Sequence, residues 1–176
     1  MRYITLFLCF VLTASFYTAT AASVTNLTVP SIVKEEKPKP VKKEPTVFER
    51  RMKRDAQDVY KKLFLALENN GYYVVFETDM GKNLSRFAQR WGDDHNKNKL
   101  ESIQSLVFCN GWYANQVSNY DPKMLALCPM HITVTHKKGI TSILYVRPSQ
   151  VAKDSPAKKI ANELEQDVVR IIGSIR

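Results

Sequence analysis

Leu106–His131 reads LVFCNGWYANQVSNYDPKMLALCPMH, and the layout of the rest of the chain follows from this stretch. Leu106-Val107-Phe108-Cys109 is a short run of large apolar side chains, the composition of a strand covered on both faces. Asn110-Gly111 ends it. Trp112 to Asn119 is a short helix-length segment. Asp121-Pro122 opens another turn, with Asp121 placed as an N-cap and Pro122 at the first helical position, where its missing N–H costs nothing. Pro129 then leads into a second strand. One cysteine, Cys109, ends the first strand, and another, Cys128, stands just before the second.

Downstream, the second strand alternates. Met130, Ile132 and Val134 project to one side, His131, Thr133 and Thr135 to the other. Lys137-Lys138-Gly139 forms a tight hairpin turn, with Gly139 free to take a positive φ. Ile140 to Val146 returns antiparallel and stops at Arg147-Pro148. Ala157 to Ile175 is the most periodic helix, carrying Ile160, Leu164, Val168, Ile171, Ile172 and Ile175 on one stripe.

Upstream, Glu49 to Asn69 reads as helix on the spacing of Val59, Leu63 and Leu67, and Asn69-Asn70-Gly71 stops it. Tyr72 to Thr78 is β-branched and aromatic, a strand broken by Asp79-Met80-Gly81. A further helix begins near Asn83, with Leu84, Phe87, Ala88 and Trp91 as its apolar face. Gly92 to Lys99 is a polar loop, and Ser102 to Cys109 is the strand that ends in Leu106–Cys109. The order is helix, strand, helix, strand, helix, strand, strand, helix. It predicts an α+β fold: a two-layer α/β sandwich with a mixed four-stranded sheet and helices mainly on one face.

The N-terminus sets the compartment. Met1 to Ala21 has a short basic start at Arg2, an apolar run from Ile4 to Tyr17 and a small-x-small Ala19-Thr20-Ala21, the pattern of a cleaved signal peptide. The same segment retained as an anchor is the alternative. Cleavage removes Cys9 and leaves two cysteines in an oxidising, periplasmic or secreted setting. No other run is apolar and long enough to span a bilayer. Residues 22–47, with KEEKPKPVKKEP at Lys34–Pro45, are a charged, proline-rich linker that cannot build a core. Residues 48–176 make one domain of ordinary size.

The chemistry is open at this level. Cys109 and Cys128 can meet at one sheet edge as a structural disulfide. They can also stay inert thiols, or act as a redox pair or as ligands to copper or haem iron. No CxxC or CxxCH is present, which removes thioredoxin-like and covalent haem motifs. Cys128 and His131 are metal-ligand candidates, although their three-residue spacing on a strand directs them to opposite faces. Asp93-Asp94-His95 reads as a solvated turn. Asn110, Trp112 and Tyr113 are the candidates for lining a ligand pocket at the strand end. No catalytic residue is proposed, because no Ser-His-Asp order, phosphate loop or HExxH occurs. The net charge of +9 comes from scattered lysines and arginines without a strand face of exposed aromatics, which excludes nucleic-acid binding. Arg50-Arg51-Met52-Lys53-Arg54 is a dense basic run with the look of a processing site.

The chain resembles the bacterial domain-of-unknown-function family 302. The resemblance is carried by Asn70-Gly71-Tyr72 after a long helix, the strand into Phe108-Cys109-Asn110, and Tyr120-Asp121-Pro122. Leu127-Cys128-Pro129 and the hairpin returning to Arg147-Pro148 complete it. It covers about Val59 to Ile172. It implies a small α/β domain and brings no established activity. The leading expectation is an exported, non-enzymatic ligand-binding or accessory domain whose partner is a small ligand or a periplasmic protein. A redox, metal or haem protein using Cys109 and Cys128 is the alternative.

Overall fold

The computed structural model describes residues 44–176. The expectations placed on the signal peptide (1–21), Cys9 and most of the linker lie outside the described residues. Five strands form one sheet: β1 (Val47–Met52), β2 (Tyr73–Asp79), β3 (Ser102–Cys109), β4 (Met130–Lys137) and β5 (Ile140–Val146). Their spatial order is β1-β5-β4-β3-β2, and every neighbouring pair is antiparallel. This corrects the expected mixed four-stranded sheet. Strands β2 to β5 follow one another in space as they do in sequence, and such a meander contains no parallel pair.

The fifth strand, β1, occupies a segment expected to begin a helix. Its residues alternate exposed and half-buried, but charges at Glu49, Arg50 and Arg51 obscure that two-residue period in the sequence. The helix starts later. Asp55 caps α1 (Ala56–Asn69) by accepting the amides of Gln57 and Asp58, each at 2.9 Å. The second long helix, α6 (Lys158–Ser174), buries Leu164, Val168, Ile171 and Ile172. Val59, Leu63 and Leu67 of α1 join this stripe in one core with Leu106, Phe108, Ile132, Val134, Ile143 and Tyr145 of the sheet. Full burial of each such side chain stabilises by about 1.5–3 kcal/mol. Met130, Ile132 and Val134 are all buried, as the alternation of β4 requires.

The segment between β2 and β3 departs from expectation. It forms two short helices, α2 (Met80–Ser85) and α3 (Ala88–Trp91), with no buried residue in either. Leu84, Phe87 and Trp91 are each more than a third exposed, so their helical spacing marks a surface stripe rather than a core face. They lie on the side of the sheet opposite α1 and α6. Ser105, which points away from the Leu106 face, places its hydroxyl 3.2 Å from the Met80 sulfur. The remaining helices are α4 (Gly111–Tyr120) and α5 (Pro148–Val151), and a 3₁₀ turn covers Pro122–Leu127. The β4–β5 hairpin turns at Lys138 (φ 49°) and Gly139 (φ 71°), the pair of positive φ values that a two-residue hairpin loop needs. No helix among the described residues is long and apolar enough to cross a membrane.

Candidate functional site

The end of β3 collects most of the residues singled out in the sequence. Cys109 closes the strand, and Cys128 ends the 3₁₀ turn that leads back into β4. Both are half-buried free thiols, and the register that pairs Phe108 with Met130 sets them near each other. Burial pushes the Cys128 thiol upward, and the neighbouring Cys109 adds to the shift. A raised thiol holds little thiolate near neutral pH, so Cys128 is a weak nucleophile and a poor metal ligand until deprotonated.

Asn110 stands one residue beyond and is fully engaged. Its Oδ1 accepts the Tyr113 amide at 3.1 Å, capping α4, and its Nδ2 donates to the Gly71 carbonyl at 3.0 Å. One amide therefore fixes both the start of α4 and the α1–β2 turn. Gly71 takes φ +76° there, a conformation that favours glycine. Tyr113 is half-buried and stacks on Tyr72 with ring centroids 6.3 Å apart. Burial, then the carboxylate of Asp167, raises its phenol. Trp112 is 67 % exposed. The three pocket candidates thus comprise one structural cap, one packed ring and one free indole.

Tyr72 connects this edge to α6. It is fully buried, and its hydroxyl donates to Asp167 Oδ2 at 2.9 Å. Burial and then that hydrogen bond raise its phenol far above the ordinary tyrosine range. Arg170 holds the other carboxylate oxygen and reaches Asn70 Oδ1 at 3.2 Å. A second polar centre lies at the opposite edge of the core. Glu165, only 5 % exposed, pairs with Arg147 and accepts the Ser149 amide at 3.1 Å. The Arg147 guanidinium also stacks over Phe48 at 5.4 Å.

His131 is exposed, and it lines a small cleft of about 140 Å³ with Leu127, Pro129 and Val146. The neighbour the structure gives Cys128 is Cys109. Among the described residues no group of three or more His, Cys, Asp or Glu side chains is arranged to hold a metal. Sequence reading missed Asp167, Arg170 and Glu165. Glu165 left a signal, since it follows Ala161 by four residues and so sits on the buried flank of the α6 stripe. Asp167 and Arg170 left none, because their partners Tyr72 and Asn70 are distant in sequence.

The family described as Domain of unknown function DUF302 matches residues 48–175. The chain belongs to that family. The DUF302 match spans β1 to α6, the whole sheet with both long helices. Among solved structures, the crystal structure of the uncharacterized conserved protein DUF302 from Bacillus stearothermophilus superposes with a TM-score of 0.63 at 18 % identity, covering 74 % of this chain and 98 % of that one. That likeness establishes the shared fold. No curated protein matches the chain.

Proposed function

We propose that this DUF302 chain is an exported, non-enzymatic ligand-binding or accessory domain, closed by a disulfide between Cys109 and Cys128. The β3–β4 register, which pairs Phe108 with Met130 and so sets Cys109 and Cys128 near each other at that edge, carries the reading. A bond there would close a loop of about 20 residues and stabilise on the order of 3 kcal/mol. The signal-like Met1–Ala21 segment supplies the oxidising compartment in which such a bond persists. The binding edge is the exposed Trp112, beside Tyr113 stacked on Tyr72 and the Asn110 cap.

The competing reading has the same cysteines cycling or ligating copper or haem. The raised Cys128 thiol argues against it, because thiol–disulfide exchange proceeds through the thiolate. Intact mass of protein taken from its native compartment, under native and denaturing conditions, separates the two. A mass two hydrogens light and equal in both states supports the stapled domain. Free thiols sink the staple, and added mass present only in the native state favours the alternative.

A further inference from the structure

We propose a second functional surface, at the end of the domain remote from the thiols: a docking face for an anionic phospholipid bilayer. Two basic runs distant in sequence converge there. β1 pairs Arg51 with Ser142 and Met52 with Thr141, while β4 pairs Lys137 with Ile140. This pairing brings Lys53 and Arg54, just past β1, beside Lys138 and Gly139 of the hairpin, around one groove of about 420 Å³. A second groove, shared by Arg51, Lys137 and Lys138, continues onto the open face of the sheet as far as Leu100.

Leu100 also belongs to the next feature. With Leu84, Trp91 and Ile103 it lines a cavity of about 360 Å³ beneath α2 and α3. The residues of those helices, Met80–Trp91, include three cations, Lys82, Arg86 and Arg90, and no carboxylate. All three are exposed. Neither they nor Lys53, Lys137 and Lys138 form an ion pair among the described residues. Phe87 and Trp91 stack at 5.1 Å while remaining 44 % and 40 % exposed. The cavity and grooves also carry Glu49, Asp55, Asp94 and Glu101, and Arg51 and Arg54 pair with Glu49 and Asp58, but exposed aromatic and aliphatic side chains beside six cations without an ion pair are what a headgroup interface recognises. The rings enter the acyl boundary, and the lysines and arginines meet lipid phosphates. A neutral apolar partner would leave six cations unanswered, and a purely acidic peptide would leave Phe87 and Trp91 in water.

The test uses the full chain with phosphatidylcholine vesicles, with and without phosphatidylglycerol, carrying brominated acyl chains. Trp91 and Trp112 stand at opposite ends of the fold, so a Trp91→Phe chain isolates the signal of Trp112. Bromine quenching in the wild type that requires phosphatidylglycerol and disappears in Trp91→Phe supports docking by this face. The double change Lys137→Glu with Lys138→Glu should weaken binding at least about ten-fold. Arg86→Glu with Arg90→Glu should do the same, and circular dichroism shows that each variant is folded. Equal binding to uncharged vesicles, quenching that persists in Trp91→Phe, or no association at all overturns the proposal. So does capture of acidic peptides with no vesicle binding.

Discussion

Glu165 sits at 5 % exposure, and its partners explain how. Arg147 neutralises one oxygen, and the Ser149 amide donates to the other. Removing one member of a buried pair leaves the other uncompensated, at about 3–5 kcal/mol. Glu165→Ala should therefore fall near the low end, because Arg147 keeps Glu44 at 3.4 Å. Urea denaturation measures this, and a loss under about 1 kcal/mol would show that the pair is hydrated in solution. Cys109→Ser should cost on the order of 3 kcal/mol in oxidised protein and almost nothing in reduced protein, so melting with and without reductant checks the staple directly. The buried phenols give a pH prediction. Tyr72, Tyr60 and Tyr145 are all raised, chiefly by burial. Above the ordinary tyrosine value of about 10 the unfolded chain releases these protons while the folded chain keeps them. The unfolded state then binds fewer protons, so stability present below pH ~10 declines as pH rises. Urea midpoints on either side of that pH should fall steeply, and less so for Tyr72→Phe. At this scale the sequence identified Cys109, Cys128 and Asn110 as notable. It did not show that Asn110 is a brace, since its partner Gly71 is fixed only by the fold.

At the scale of elements, strong periodicity was legible and weak periodicity was not. β4, β5 and α6 were readable because their apolar residues recur with the period of the element that forms. β1 was unreadable because its inward positions include Arg50, which reaches across to the Ile172 carbonyl. The α2–α3 stripe misled for the opposite reason: helical spacing reports a shared face and not what covers that face. A difference in amide exchange follows. The amides of Ile132 and Val134 in central β4, flanked by β3 and β5, should be among the slowest in the chain. Those of α2 and α3, which bury no side chain, should exchange among the fastest. Hydrogen-exchange mass spectrometry on overlapping peptides checks this, and protection of Met80–Trp91 equal to that of β4 would contradict it.

For the whole molecule, the α+β class was foreseen from the order of elements, while the strand count turned on the edge strand β1 and the strand direction on the β2–β5 meander. Strand β1 makes a prediction about boundaries. The Thr46 carbonyl accepts the Arg147 amide at 2.9 Å, so a fragment of residues 44–176 should melt like the full chain. One beginning at Ala56 removes β1 and bares the hydrogen-bonding edge of β5, and it should melt lower and self-associate. Calorimetry and light scattering decide between these outcomes. The placement of β1 also sets an order of events. Its partner is β5, and Val47 pairs with Val146, 99 residues further along the chain. During synthesis the first strand emerges with nothing to join, and it waits until the last strand has been made. The β2–β5 meander can assemble through short-range closures, but the sheet is complete only when β1 meets β5. A domain closed in this way keeps one edge of its sheet open for as long as β1 waits for β5.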